Sequence, residues 1–322
     1  MSKDQLAIMN SFTNLNDLLS FIGLFYPNLS VKEKYITEIE AKLHSIYFKL
    51  ILHLYPSCPA AIQAFIRNYF LKYEIWNLKI IILGILTDMD RSQIRNRLIN
   101  EIETLYNRDL LFARLANCVD LSEFMQLIKK TPYHKVLKQG IEFYNNTGEI
   151  FLAELDLDRY FHKNLVDSLG FYPENEKKTF EPFILSLADI FNLRLISRSL
   201  FNNIDRKLIE PYILDYGYYL KSADRESFFS LENFQNYYAT LIEYFSKKGV
   251  NFPKIGEFKE DIPLIDEFIF EGLFRKMKQA EIDDINNITL IELFGFIFKK
   301  ELEIRFVLKK LIQIIHGTRM GE

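Results

Sequence analysis

Residues 74–80 read Glu-Ile-Trp-Asn-Leu-Lys-Ile and residues 189–195 read Asp-Ile-Phe-Asn-Leu-Arg-Leu, so one pattern of acid, two residues, Asn, Leu and a basic residue occurs twice. A weaker copy at residues 303–307 reads Glu-Ile-Arg-Phe-Val. The acids are separated by 189 − 74 = 115 and 303 − 189 = 114 residues in a chain of 322. Two nearly equal spacings, each about a third of the chain, indicate internal duplication.

A second element supports the same period. Residues 14–18, 120–124 and 230–234 each begin with a capping residue that is followed three positions later by an acid or amide, which predicts a helix start. A third element, residues 157–160, is echoed at 265–268 before another apolar helix, and it has no convincing first copy. We therefore predict three helical repeats, at residues 1–110, 111–225 and 226–322.

The periodicity of the apolar residues predicts the fold class. Residues 35–54 and 94–115 place apolar side chains at three- and four-residue spacings, with almost no alternation of period two. Only 12 Gly and 9 Pro interrupt the chain. The sequence therefore predicts an all-α fold built from three similar lobes.

Composition excludes several classes of protein. With 49% hydrophobic and 26% charged residues and a mean hydropathy of −0.04, the chain is typical of a soluble protein. Its longest purely apolar run, residues 80–86, is far shorter than the roughly 20 residues of a membrane span. A net charge of −3 disfavours a nucleic-acid partner. The two cysteines, Cys58 and Cys118, form no Cys-x-x-Cys pair, which favours a reducing compartment and no structural zinc.

Known catalytic motifs are incomplete or absent in the sequence. A prenyl-transferase or terpene-cyclase site needs magnesium-binding acids, and residues 283–287 match only in part. The second metal motif of those enzymes begins at Asn16 but fails at Leu24, where an acid is required. The chain has no Gly-rich phosphate loop, no Gly-x-Ser-x-Gly and no histidine pair at metal-ligand spacing. We therefore predict no catalytic residue, no metal site and no cofactor.

Helical geometry predicts the local role of the motif. At about 100° per residue, Lys72 and Lys79 share one face, which we expect to be exposed to solvent. Glu74 and Asn77 lie roughly opposite, so we expect them to be buried or at an interface between lobes. A buried carboxylate needs partners. The motif is thus either a polar contact that defines the fold or a direct contact with another subunit.

These considerations give a set of candidate site residues. We expect the acids and amides of the motif to hold the lobes in register, and the basic residues at its end to lie on more exposed helix faces. The candidates are Glu74, Asn77, Lys79, Asp189, Asn192, Arg194, Glu303 and Arg305. Near the C-terminus, further basic residues predict either a solvated face or a docking surface for anionic headgroups or an acidic partner. These are Lys299, Lys300, Arg305, Lys309, Lys310 and Arg319.

The repeated motif helices resemble those of the d/C-type central-stalk subunits of V-type and A-type rotary ATPases. Residues 154–161 (Glu-Leu-Asp-Leu-Asp-Arg-Tyr-Phe), the segment 120–137 that ends in Thr-Pro-Tyr-His-Lys-Val-Leu, and residues 300–305 (Lys-Glu-Leu-Glu-Ile-Arg) are similar to further segments of that family, in the same order. One departure is Phe306, which stands where the family usually carries Asn.

The resemblance implies a funnel of three helical lobes around a pseudo-three-fold axis. Its mouth would receive the tip of the central shaft and its base would rest on the membrane proteolipid ring. It implies a non-catalytic subunit, present once per complex at the cytoplasmic face of the membrane, with shaft and ring as partners and no nucleic acid. The alternative from another class is a free-standing helical-repeat scaffold unrelated to ion transport.

Overall fold

A computed structural model describes residues 1–27, 29, 36–108, 110–249 and 288–319 of the chain. Within these ranges the regular secondary structure is helical and no strand occurs, which confirms the all-α prediction. None of the described helices is both long and apolar enough to cross a membrane.

Fifteen α-helices and three short 3₁₀ turns are described. In chain order the helices are α1 Lys3–Ser11, α2 Leu15–Gly23, α3 Ile36–Leu54, α4 Ala60–Leu86, α5 Arg91–Asn96, α6 Ile102–Tyr106, α7 Leu111–Leu115, α8 Leu121–Leu127, α9 Pro132–Thr147, α10 Phe151–Asp167, α11 Glu174–Asn202, α12 Arg206–Ile209, α13 Ser222–Phe229, α14 Phe234–Ser246 and α15 Ile288–Arg319. The 3₁₀ turns are Tyr55–Ser57, Ser168–Phe171 and Glu210–Tyr212.

The chain folds into two compact units. The first combines Met1–Lys138 with Phe296–Glu322, so most of the described part of α15 packs with the N-terminal helices. The second is Gln139–Gly295. The predicted boundaries of three repeats, 1–110, 111–225 and 226–322, are not tested by this division and stay a prediction.

The helices that carry the first two copies of the motif, α4 and α11, lie in the interiors of their units. Helix α4 buries apolar residues on all sides, among them the fully buried Phe65, Phe70 and Leu78. Helix α11 does the same with Phe180, Phe183 and Ile184. A helix that is apolar all round must be enclosed by other elements, and burial of each such side chain contributes about 1.5–3 kcal/mol. Each of these two helices is therefore enclosed by other elements of its unit.

Both motif helices are preceded and followed by the same elements. A 3₁₀ turn leads into a proline at the helix N-cap, Pro59 before α4 and Pro173 before α11, at a spacing of 173 − 59 = 114 residues. After each helix comes a short helix capped by an aspartate, Asp90 for α5 and Asp205 for α12, at 205 − 90 = 115 residues. In both cases the carboxylate accepts the backbone N–H two residues later. The duplication read from the motif is thus matched by its flanking structure.

The predicted capped helices are present, with one correction. Asn14 caps α2 and Asp120 caps α8, each through its side-chain oxygen. In the third copy the cap is Asn233, which accepts the N–H of Asn236, and the helix begins at Phe234. The prediction that Ser230 caps this helix was wrong, because Ser230 is the C-cap of α13. The echo at 265–268 and the acidic segment 283–287 lie outside the described residues.

Helices α9 and α10 approach each other closely at Gly140. A Cβ added at Gly140 would overlap the backbone N and Cα atoms of Ala153 on α10. Gly23, near the end of α2, has no atom within 4 Å of the corresponding position. A side chain at Gly140 would therefore clash with α10, whereas one at Gly23 would meet no neighbouring atom.

We predict opposite effects of alanine at these two positions. Gly23→Ala should raise the free energy of unfolding by up to about 1 kcal/mol, because alanine favours a helix. Gly140→Ala should lower it by about 1–3 kcal/mol, because rigid backbone atoms occupy the space. Chemical denaturation of the two variants measures both effects, and a stabilised Gly140→Ala would contradict the close approach.

Candidate functional site

The motif asparagines make the same pair of hydrogen bonds in both units. Asn77 on α4 donates from Nδ2 to the carbonyl of Ile99 at 3.0 Å and accepts the Ile99 N–H at 2.9 Å. Asn192 on α11 donates to the carbonyl of Leu214 at 3.0 Å and accepts its N–H at 2.8 Å. The offset is 22 residues in each case, since 99 − 77 = 214 − 192 = 22. We call this two-bond contact the asparagine tie.

Each asparagine tie is buried. Both asparagine side chains are completely inaccessible, as the helical-face argument predicted for Asn77, and Ile99 and Leu214 are buried with them. A buried backbone N–H or C=O without a partner costs about 1–3 kcal/mol. The tie satisfies both groups of one loop residue at once, so it fixes the segment after each motif helix to that helix.

The acid of the second copy, Asp189, lies in a cradle of backbone N–H groups. Its carboxylate accepts the N–H of Tyr218 at 2.9 Å, of Tyr219 at 2.7 Å and of Leu220 at 3.2 Å. A Cβ at Gly217 would overlap Oδ1 of Asp189, so a side chain at that position would displace the carboxylate. Burial raises the pKa of Asp189 to about 7, against the opposing effect of the three N–H donors.

The acid of the first copy, Glu74, uses side-chain partners instead. It is fully buried on α4, where Oε1 accepts from Nε of Arg108 at 2.8 Å and Oε2 from the Tyr133 hydroxyl at 2.5 Å. The Arg108 side chain itself is 30% exposed. An ion pair at this depth needs such supplementary hydrogen bonds to offset desolvation. Glu74 thereby connects α4 both to the loop before α7 and to α9.

The third copy keeps the acid without the amide. Glu303 on α15 accepts from the Tyr26 hydroxyl at 2.7 Å and from the amino nitrogen of Met1 at 2.6 Å, and Lys300 lies 3.1 Å away. Although burial opposes the shift, these donors hold the pKa of Glu303 below its ordinary value. The half-buried Phe306 has no amide, so no asparagine tie forms at this copy.

The basic candidates are placed less uniformly than the acids. Lys79 and Arg194 are half-buried, and Arg305 is exposed. The prediction that Lys72 faces solvent was wrong, because its ammonium group forms an ion pair with Glu301 at 2.6 Å and its side chain is only 25% exposed. The reason is that α15 packs on this side of α4. Of the C-terminal basic residues, Lys299 and Lys309 are exposed, while the side chain of Arg319 lies outside the described residues.

Glu301 is the centre of a buried polar cluster that the sequence did not reveal. Its carboxylate accepts from the hydroxyls of Tyr69 at 2.8 Å and Tyr73 at 3.2 Å and from Lys72. Although burial raises it, the charge of Lys72 keeps the pKa of Glu301 below its usual value. Tyr73 also lies 3.2 Å from Nδ1 of His44, whose pKa burial lowers to about 4. The cluster joins α3, α4 and α15 in the first unit.

Comparison with known proteins identifies the family of the chain. A model of the family described as ATP synthase (C/AC39) subunit matches residues 1–321. The chain belongs to that family. The resemblance to the d/C-type subunits is thus confirmed.

Individual relatives in the C/AC39 family are distant. The C subunit of the A-type ATP synthase of Methanosphaera stadtmanae is 23% identical over 258 residues, which cover 78% of this chain and 62% of that protein. The corresponding protein of Methanocaldococcus jannaschii is 21% identical over 273 residues, covering 82% and 64%. That of Methanobrevibacter smithii is 29% identical over 122 residues, covering 37% and 32%. The chain therefore spans less than two thirds of the length of these curated relatives.

Within the part of the chain that the structure describes, no group of three or more His, Cys, Asp or Glu side chains could hold a metal ion. The motif acids Asp189 and Glu303 accept hydrogen bonds from groups of their own chain. The arrangement is suited to fixing elements in place.

Sequence reasoning missed the partners of the motif. Arg225, only 7% exposed, donates to the carbonyls of Leu220 at 2.8 Å and Asp215 at 2.6 Å, which supports the loop that binds Asp189. Tyr237 donates to the carbonyl of Leu193 at 2.7 Å inside the same unit. Of the motif's partners, only Ile99 and Leu214, which the asparagines bind, could have been identified from the sequence. They are 214 − 99 = 115 residues apart, which is the period of the acids.

We predict that loss of either asparagine tie destabilises the chain strongly. Asn77→Ala and Asn192→Ala should each lower the free energy of unfolding by about 2–4 kcal/mol, because one N–H and one C=O remain buried without partners. Asn202→Ala is the matched control, since Asn202 is exposed and its amide bonds only the carbonyl four residues earlier. Its effect should stay within about 0.5 kcal/mol, and equal effects in all three variants would contradict the tie.

A pH dependence follows from the raised pKa of Asp189. The native chain retains a proton that the unfolded chain loses above the ordinary value of 3.8, so this group stabilises less as pH rises towards 7. The difference in unfolding free energy between wild type and Asp189→Asn should therefore shrink from pH 5 to pH 8. Denaturation across that range measures the difference. A difference in unfolding free energy that grows with pH would show that the three N–H donors keep Asp189 ionised.

Proposed function

We propose that this chain is the non-catalytic coupling subunit of a V/A-type rotary ATPase, seating the central shaft on the membrane proteolipid ring and transmitting torque during ion transport. The observation that carries the proposal is the asparagine tie, repeated at one offset in a member of the ATP synthase C/AC39 family. Several relatives are named as the C subunit of an A-type ATP synthase, a chain of that complex.

A torque adaptor must be stiff between its two interfaces. In each unit the segment after the motif helix is the part that the tie immobilises, through two hydrogen bonds in a closely packed interior. Interiors of this kind resist deformation and transmit strain. The buried acids add further fixed points, through Arg108 and Tyr133 in the first unit and through the backbone near Gly217 in the second.

We propose a structural role for the motif residues themselves. In this role Glu74, Asn77, Asp189, Asn192 and Glu303 hold helices and lobes in register, while Lys79, Arg194 and Arg305 lie towards the surface. Asp189→Ala should then cost several kcal/mol of stability, because three buried N–H groups lose their acceptor. Unchanged melting combined with lost ring binding would instead assign Asp189 to a direct contact.

The proposal places the chain at the cytoplasmic face of the membrane, attached through the ring and present once per complex. Hydrolysis would take place on other chains, and this chain would need no cofactor. The alternative is a free-standing helical-repeat scaffold unrelated to ion transport. Membership of the C/AC39 family favours the coupling role.

Purification of the complex tests the proposal. A tagged chain, expressed in its own host and recovered from detergent-solubilised membranes, should carry the shaft and proteolipid subunits with it in fixed proportion. A clean soluble monomer under gentle conditions would contradict the coupling role and favour the scaffold.

We predict that removal of this chain separates two activities of the complex. ATP hydrolysis by the detached catalytic part should continue, whereas ATP-driven ion transport into membrane vesicles should be lost and return when the chain is added back. Both rates can be measured on the same vesicles, with add-back of Asn202→Ala as a positive control. Loss of all hydrolysis by the isolated catalytic part, restored only by this chain, would assign it a catalytic role.

A further inference from the structure

The surface that follows motif helix α4 in the first unit carries an arginine-rich strip. Tyr106 lies between two guanidinium groups, with Arg67 5.7 Å and Arg108 6.0 Å from its ring centroid. Its hydroxyl bonds the carbonyl of Arg67. Leu110 follows, and its carbonyl accepts the N–H of Arg114, one turn later on α7. Asn117, bonded to both the Arg114 carbonyl and the Arg95 guanidinium, connects it to Arg95 on α5.

We call these six residues the arginine strip: Arg67, Arg95, Tyr106, Arg108, Leu110 and Arg114. Arg67, Arg95 and Arg114 are exposed, and within the part of the chain that the structure describes no carboxylate forms an ion pair with them. Asp90 and Asp120 are the N-caps of α5 and α8 and accept backbone N–H groups, and of the two Asp90 is close enough to Arg95 for their charges to attract. The strip carries more arginines than neighbouring acids. The strip therefore presents positive charge outward.

Leu110 stands out from the centre of the strip in a strained conformation. It is 67% exposed, and its φ of 50° is in the left-handed region, which is costly for a leucine. Hydrogen bonds on both sides fix it there. The N–H of Arg108 bonds the Glu103 carbonyl at 2.9 Å, and the N–H of Phe112 bonds the Glu103 carboxylate at 2.7 Å. The loop thus presents an apolar side chain in one preformed position.

The second unit shows that the fold does not require this surface. It builds the corresponding elements 115 residues later, yet Glu210 stands at the position of Arg95 and Phe229 at that of Arg114, since 95 + 115 = 210 and 114 + 115 = 229. The internal features, the asparagine tie and the aspartate N-cap, are the same in both units. The exposed Arg95 and Arg114 are therefore not required by the features that the two units share.

We propose that the arginine strip is a docking surface for an acidic protein segment of the rotary complex, with Leu110 inserted into an apolar depression of that segment. Guanidinium groups held in place by neighbours suit bidentate recognition of carboxylates, and arginine and tyrosine are the residues that dominate protein interfaces. A preformed backbone reduces the ordering cost of binding. This inference rests on the proposed function, because it takes the partner from the same complex.

The first test identifies what contacts Leu110. A photo-crosslinking amino acid replaces Leu110 in the full-length tagged chain, and the assembled complex is irradiated before purification. The expected product joins this chain to an Asp- and Glu-rich peptide of another ATP synthase subunit. The same amino acid at Leu24, which is 75% exposed elsewhere in the first unit, is the control. No product from position 110, or a product with lipid, would overturn the proposal.

The second test measures the contribution of the charges. Arg95→Glu combined with Arg114→Glu should weaken retention of the partner protein on the order of tenfold or more at physiological salt. Lys129→Glu combined with Lys130→Glu makes the same change of charge at exposed positions on the same unit and should leave retention unchanged. Leu110→Asn, which tolerates a positive φ, should weaken retention while keeping the melting temperature. Reversing the charge of an acidic residue in the crosslinked segment should restore binding to the arginine variant.

The outcomes separate this inference from the proposed function. Equal recovery of ATP synthase subunits by wild type and by the arginine variant, with both folded, would leave the coupling role in place and overturn the docking surface. Recovery of none by wild type would contradict the proposed function and the inference with it. Sedimentation with vesicles of phosphatidylglycerol, lost only in the arginine variant, would assign the strip to the membrane surface and likewise overturn the proposal.

Discussion

The rest of the structure depends on one interaction, the two hydrogen bonds by which a buried asparagine on a motif helix holds the backbone of a residue 22 positions later. Each motif helix is apolar on nearly every side, so the segment that returns over it must bury its own peptide groups. Asn77 and Asn192 meet that requirement for Ile99 and Leu214 with one side chain each. A carboxamide suits this role because it offers one donor and one acceptor side by side without a charge.

The motif acids, by contrast, are retained with different partners. Glu74 extends to Arg108 and Tyr133, whereas the shorter Asp189 receives three backbone N–H groups from a loop that closes over it at Gly217. Glu303 receives the hydroxyl of Tyr26. A buried carboxylate can be satisfied by any sufficient set of donors, and removing the set is costly. The copies of the motif therefore share a buried acid while the partners of that acid differ.

The period of the chain could be predicted from the sequence because the same pattern of residue types recurs at nearly equal spacings. The spacing of the acids predicted where the motif helices lie, and capping patterns predicted the starts of α2 and α8. The cap of α14 was placed three residues too early, because Ser230 and Asn233 both fit the pattern and only the end of α13 decides between them. The family followed from the order of several motifs, none of which is specific alone.

The partners of the motif could not be predicted, because tertiary contacts between distant segments leave no local periodicity. Glu301 and its tyrosines are 228 or more residues apart in sequence, and Lys72 was misplaced for the same reason. The close approach at Gly217 likewise depends on where Asp189 comes to lie. The exposed arginines of the first unit could not be recognised from local sequence either, because only comparison with Glu210 and Phe229 of the second unit distinguishes them.

Amide hydrogen exchange at Ile99 and Leu214 tests the central claim most directly. Both N–H groups donate to the Oδ1 atom of a buried asparagine, with N···O distances of 2.9 Å and 2.8 Å, although they belong to segments between helices. Both amides should exchange only through unfolding of their unit, as slowly as the amides in the middle of α4 and α11. Exchange at the rate of an exposed loop, in either unit, would show that the asparagine tie does not hold the segment and would contradict the account.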